Sequence, residues 1–130
     1  MEIKELRNAG AFQYTTTNFM QNYTGLNYYV LSEAVDIVSW DNYPSWHQKP
    51  DFEIALEAGL QHDYMRSLKH KPYLVMESAP GALNWQGVSK LKRPGMLAAS
   101  SLQALAHGAE SIQYFQIRQS RGARKNFTVL

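Results

Sequence analysis

Glu77 is the residue whose type and setting say most about chemistry. It follows the apolar run Tyr73-Leu74-Val75-Met76, so a strand through 73–76 would deliver its carboxylate to the mouth of a sheet and not to a solvated helix face. An ionised carboxylate there is costly unless it accepts hydrogen bonds or meets a cation. Two uses fit: chemistry at a strand end, where α/β enzymes place it, or a structural pair with an arginine such as Arg118. Trp40, Tyr43, Trp46 and Trp85 also lie at or just after strand ends. Sugar rings pack their apolar faces on aromatic rings while Asn, Gln and Tyr serve the hydroxyls, so this set suits a carbohydrate. The plain alternative is that aromatic loops cap a core, and for Trp40, nearest the strand interior, that reading is favoured. His47, His62, His70 and His107 lack metal-ligand spacing and read as mostly surface or structural. No metal or organic cofactor is expected.

The elements that must position these residues alternate along the chain. Residues 13–19, rich in threonine and aromatics, read as a strand, 28–34 as a short helix and 35–40 as a second strand that breaks at Asp41-Asn42-Tyr43-Pro44. From Asp51 to Leu68, apolar residues four apart (Leu56, Leu60, Tyr64, Leu68) predict a helix. Asp51 is expected as its N-cap and Lys69-His70-Lys71 as positive charge at its end. Pro72 stops that helix and opens the strand before Glu77. Pro94 starts a further helix through 96–106, Gly108 suits its C-terminal end, and 111–115 read as the last strand. The order βαβαβαβ implies parallel strands joined by right-handed crossovers. Alternation alone allows an open doubly wound sheet or part of a (β/α)8 barrel. Neither the glycine-rich turn of a dinucleotide site nor the Gly-Lys-Ser/Thr of a phosphate loop is present.

The 130 residues carry 13 Lys+Arg against 11 Asp+Glu, are 45% hydrophobic and 18% charged, and contain no cysteine. This composition belongs to a folded domain and excludes a disulfide scaffold or a cysteine-ligated metal. No apolar run reaches the roughly 20 residues of a membrane span, and the start of the chain lacks a secretory apolar core, so a cytoplasmic location without membrane association is expected. Seven of the bases and one acid fall in residues 90–130. An anion- or nucleic-acid-binding α/β module would use such an end, but no nucleic-acid module pattern accompanies it, and a solvated surface is the preferred reading, with no nucleic-acid partner.

Taken in order, several blocks resemble one family. Thr16-Thr-Asn-Phe-Met20, Val35-Asp-Ile-Val-Ser-Trp-Asp-Asn-Tyr-Pro44, His62-Asp-Tyr-Met-Arg-Ser67 and Met76-Glu-Ser78 are followed by Asn84-Trp-Gln86, Leu91-Lys-Arg-Pro-Gly95, Ser101-Leu-Gln-Ala-Leu-Ala-His-Gly108, Gln113-Tyr-Phe-Gln116 and Ser120-Arg-Gly122. This ordered set resembles the β-galactosidases of glycoside hydrolase family 42 across nearly the whole chain. The resemblance implies a partial (β/α)8 TIM barrel with about four parallel strands, five to eight, so that residues 1–130 form the C-terminal half of a catalytic domain that typically needs about 250 residues.

The same resemblance implies a retaining hydrolase of terminal β-galactosides in which Glu77 is the nucleophile. Tyr43 would stand beside it and Trp85 would line the sugar site, with Asn18 and Trp46 as further substrate-binding candidates. The reaction needs a second carboxyl roughly 5 Å away as acid/base, which in this family follows an asparagine. No Asn-Glu pair occurs in these residues, and Glu33, Asp36 and Asp41 are no substitute, so the acid/base is expected upstream of residue 1 and the isolated chain is expected to be inactive. Where the family has a sugar-binding glutamate and histidine, this chain has Lys125 and Thr128, which points to altered sugar preference or a divergent terminus. Self-association, or association with the missing N-terminal half, would cover the open sheet edges; the complete enzyme would be a homotrimer. A non-catalytic sugar-binding remnant is the alternative.

Overall fold

The computed structural model describes residues 2–83 and 90–117. In chain order these form α1 (Glu2–Asn8), β1 (Asn18–Phe19), α2 (Tyr28–Ala34), β2 (Ser39–Asn42), α3 (Asp51–Ser67), β3 (Tyr73–Ser78), α4 (Met96–Ala106) and β4 (Ala109–Tyr114). All four strands are parallel and lie in the order β1-β2-β3-β4. A doubly wound sheet reverses its strand order at a switch point; a run of neighbours in sequence order is an arc of a (β/α)8 barrel, which decides between the two architectures. Among the described residues no helix is long and apolar enough to cross a membrane.

Several boundaries differ from the sequence expectation, each for a local reason. The first strand shrinks from 13–19 to two residues because side chains occupy the backbone ahead of it. The Asp36 carboxylate accepts both the Thr15 N–H and its hydroxyl at 2.7 Å, and Arg7 from α1, a helix not anticipated from the sequence, donates to the same carboxylate at 2.7 Å. Thr16 Oγ1 donates to the Ile37 carbonyl and Ser39 Oγ to the Thr17 carbonyl, each at 2.7 Å, where ladder bonds would otherwise run. The second strand is displaced from 35–40 to Ser39–Asn42 for the same reason. On α3 the cap is Pro50, and Asp51 is the first helical residue, paired with Arg93. Lys69 closes α2 rather than α3: its ammonium donates to the Ser32 and Val35 carbonyls at 2.8 Å.

The face that α3 buries is also not the one its leucines suggest. Ile54, Ala58, Gly59, His62 and Met65 are buried, while Leu56 and Leu60 are exposed. On the buried face His62 stands against the fully buried Trp40 indole, while Tyr64 and Leu68 of the leucine stripe are half-buried against the core. Small residues at 58 and 59 leave room for neighbouring groups, and an added Cβ at Gly59 would come within 3.2 Å of the His107 ring. Gly108 adopts φ +95° just after α4, with its N–H on the Leu105 carbonyl, as a helix end of this kind requires.

Register across the sheet shifts at the start of β3, where Tyr73 pairs with Ala109 but Leu74 with Ser111, and again beside Glu77. Trp40 pairs with Val75, but Asp41 pairs with Glu77, and against β4 the partners step from Val75–Ile112 to Ser78–Tyr114. Both neighbours therefore agree that β3 carries one extra residue between Val75 and Ser78. Side chains alternate faces along a strand, so Tyr73 and Val75 point into the core with Trp40, and strict alternation would send Glu77 after them. The extra residue turns Glu77 to the other face, beside Asp41.

Behind the sheet, a hydrogen-bonded chain ties the strand ends to the helices. His62 is fully buried and stands edge-on to Trp40 at 5.0 Å. Its Nε2 meets the Asn42 amide nitrogen at 3.3 Å, its Nδ1 meets the Tyr73 hydroxyl at 2.7 Å, and that hydroxyl donates to the Ala104 carbonyl at 3.3 Å. These partners assign a neutral ring: the Asn42 amide donates to Nε2, and Nδ1 carries the proton toward Tyr73. Burial, followed by the nearby His107 ring, pushes His62 from 6.5 down to about 4. Between these values the unfolded chain binds a proton that folded His62 refuses, so stability is full above the window and is lost as pH falls through it. A His62→Gln chain lacks this linkage. Its stability deficit at pH 7, measured by urea unfolding, is expected to shrink by about 3 kcal/mol at pH 4.

Candidate functional site

The ends of three adjacent strands converge on one carboxylate. Asn18 on β1, Asp41 on β2 and Glu77 on β3 share the sheet face opposite the core, because each follows or precedes a core residue (Phe19, Trp40) or sits beyond the extra residue of β3. The Asn18 amide nitrogen donates to Asp41 at 3.0 Å (Oδ1) and 3.3 Å (Oδ2) and to Glu77 Oε1 at 3.2 Å. Just past β2, the Tyr43 hydroxyl donates to Glu77 Oε2 at 2.5 Å. Both oxygens of Glu77 are thus held, one by an amide and one by a phenol, and each retains a lone pair. Among the described ion pairs none involves Glu77.

The electrostatics follow from this crowding. Asp41 is pushed up from 3.8 to about 6, first by burial and then by the charge of Glu77, against the Asn18 hydrogen bond that lowers it. Tyr43 is raised well above its ordinary 10.0 by burial, by its hydrogen bond to Glu77 and by the charges of Glu77 and Asp41. Its hydroxyl therefore keeps its proton and stays a donor at any working pH. A cavity of about 370 Å³ opens beside the cluster, lined by Met20, Gln21, Asn22, Tyr23, Asp41 and Tyr43. A carboxylate fixed at both oxygens, beside a cavity walled by Met20 and the Tyr23 and Tyr43 rings, is equipped to attack an electrophilic carbon or to bind a polyhydroxyl ligand.

Of the residues expected from the sequence, Glu77, Tyr43 and Asn18 come together. Trp46 does not join them: it lines a separate cavity of about 260 Å³ with Leu83, Lys92 and Arg93, and its indole nitrogen is buried with no hydrogen-bond partner among the described residues. Lys92 borders that cavity and donates to the Ala79 and Gly81 carbonyls at 2.5 and 3.2 Å, fixing the loop that follows Glu77; burial lowers its pKa. Trp85, Arg118, Lys125 and Thr128 lie outside the described residues. Asp41 stands at a strand end in the sequence reading, but its partnership with Asn18 and Glu77 is not foreseen there. Its alternation with Trp40 on β2 carries the signal, but its partner across the sheet depends on the register of β3.

Known proteins share this sequence and this arrangement of strands. The family model for glycoside hydrolase family 42, described as β-galactosidase, matches residues 1–129. The chain is 48% identical over 127 residues to the β-galactosidase BglY of Alicyclobacillus acidocaldarius, covering 97% of this chain and 18% of that protein. It is 47% identical over 116 residues to the β-galactosidase GanA of Bacillus subtilis, covering 83% of this chain and 17% of that protein. The solved β-galactosidase from Rahnella sp. R3 superposes with a TM-score of 0.90 at 48% identity, over 97% of this chain and 19% of the other. This chain thus spans about a fifth of the length of the relatives it matches.

The raised Asp41 gives a stability test of the site. A carboxyl whose folded value lies above its unfolded one stabilises fully below 3.8 and loses that contribution as pH rises through about 6. Asp41→Asn keeps an acceptor oxygen for Asn18 and removes the charge. The variant is expected to unfold at higher denaturant than the native chain at pH 7, with the advantage disappearing by pH 4.

Proposed function

The chain belongs to the family-42 β-galactosidases, and from that membership we propose that residues 1–130 are the C-terminal half of a retaining β-galactosidase catalytic domain and carry its nucleophile, Glu77. The observation that carries this reading is the seating of Glu77: it stands at the C-terminal end of a parallel strand, turned away from the core, with Asn18 on one oxygen and Tyr43 on the other. In the complete barrel, a Glu77 oxygen attacks the anomeric carbon of a β-galactoside. The bond from that carbon to the leaving oxygen breaks, and the departing oxygen keeps the electron pair and takes a proton from a second carboxylic acid. Water then loses a proton to that same group, attacks the anomeric carbon and releases Glu77 as a carboxylate. Tyr43 and Asn18 hold Glu77 in line, and Trp85 lines the sugar pocket.

The second carboxyl comes from outside these residues, since no Asn-Glu pair occurs in them. The isolated chain is therefore inactive, and β1 and β4, the two edges of the described sheet, are open to a second copy or to the N-terminal half of a barrel. The assembled enzyme is cytoplasmic and homotrimeric in this reading, and Lys125 and Thr128 adjust its sugar preference.

Purified alone, the chain is expected to leave a chromogenic β-galactoside uncleaved; cleavage that disappears on Glu77→Gln would refute the missing acid/base. Supplied with the N-terminal barrel half of a relative, it is expected to gain turnover that Glu77→Gln lowers about 10³-fold or more. Sedimentation of the chain alone should show association at micromolar concentration, and a compact, stable monomer would contradict the open-edge reading.

A further inference from the structure

We infer that Asp41 is a positioning residue for Glu77, acting through Asn18: it holds one hydrogen of the Asn18 amide so that the other is delivered to Glu77 Oε1. Its bearing on catalysis rests on the reading of Glu77 as nucleophile; the coupling among the three side chains does not.

Asp41 and Glu77 are cross-strand partners on one sheet face. Like charges directly opposite each other on neighbouring strands repel, and burial of Asp41 strengthens the effect. One group relieves it. The Asn18 nitrogen carries two hydrogens and lies 3.0 Å from Asp41 and 3.2 Å from Glu77, so each carboxylate receives one. Glu77 alone could not fix this amide, because a side-chain amide beside a single acceptor can still rotate about its last torsion. With acceptors on both sides, only the orientation that offers nitrogen to both and turns the carbonyl away satisfies the site. A serine would offer one hydrogen and an aspartate would add a third charge.

The arrangement also acts on the reaction. Repulsion between Asp41 and Glu77 exists while Glu77 is a carboxylate and vanishes when it becomes a neutral ester to the sugar, so an ionised Asp41 favours attack. The titratable groups facing Asp41 are Glu77 from β3, Tyr43 past the end of β2, and Tyr23 across the shared cavity.

The test is carbon-13 and nitrogen-15 NMR of the whole chain. The native Asp41 carboxyl carbon is expected to titrate near 6, with the Asn18 amide protons following the same midpoint. Asn18→Ala should move that midpoint up, through loss of a hydrogen bond, and Glu77→Gln should move it down, through loss of repulsion. Asp41→Asn, which retains an acceptor and the fold, should keep two distinct Asn18 amide protons while abolishing their pH step; Asp41→Ala should shift both that amide and the Glu77 carboxyl carbon. If Asp41→Asn and Asp41→Ala leave the Asn18 amide and the Glu77 carbon at native shifts from pH 5 to 8, the inference is wrong. Loss of this coupling with Glu77→Gln still inactive in the assembled enzyme would remove only the positioning role. Intact coupling with Glu77→Gln still active would remove only the nucleophile reading.

Discussion

Pairing β3 simultaneously with β2 and β4 leaves one residue over, and the placement of that residue governs which face of the sheet receives Glu77. Side-chain direction has a period of two along a strand, so a single added residue exchanges inside for outside. Before it, Tyr73 and Val75 pack with Trp40 and Met65 in the core. After it, Glu77 joins Asp41 and Asn18 on the polar face, while Ser78 takes up the alignment with Asn42. Without the irregularity an ionisable group would face the buried side chains around Trp40 and Tyr73, at the cost of desolvating its charge.

The polar face then organises itself around donors. Tyr43 and Asn18 between them supply the hydrogens, and the carboxylates only accept. Tyr43 is kept protonated by its burial, by its hydrogen bond to Glu77 and by the charges of Glu77 and Asp41, so this donor does not switch off in any ordinary buffer. Lys92 serves the loop beyond by a different means: its ammonium is neutralised by carbonyl dipoles and not by a carboxylate.

Much of this is legible in the sequence, and the remainder is hidden for a common physical reason. Strand ends, the parallel alternation and the candidates Glu77, Tyr43 and Asn18 follow from local patterns: a β-branched or aromatic run, a turn cluster, a polar residue after an apolar stretch. The buried face of α3 cannot be read this way, because equal spacing of Leu56 and Leu60 says only that a stripe exists; which stripe is buried depends on the sheet it packs against. The short β1 is equally hidden, because Asp36, more than twenty positions away from Thr15, captures its backbone. The alliance of Asp41 with Glu77 needs the register of a strand pair, and no property of either segment taken alone contains it. Helix α1 is seven residues long and fully buries none of them, and Ile3 and Leu6 alone are too few apolar positions to announce a helix.

The end of β2 is gripped from two sides. Asn42 reaches back through His62 and Tyr73 to the Ala104 carbonyl at the end of α4, while its neighbours Asp41 and Tyr43 reach forward to Asn18 and Glu77. Three consecutive residues are in effect a beam clamped in two vices, and a beam so held transmits a displacement at one clamp to the other. A substitution in the helical layer at His62 or Tyr73 therefore loosens one of the two anchors of the segment that carries Asp41 and Tyr43. For anyone altering this scaffold, the practical boundary of the site runs through the back of the sheet, along the imidazole of His62, and not along the rim of the opening.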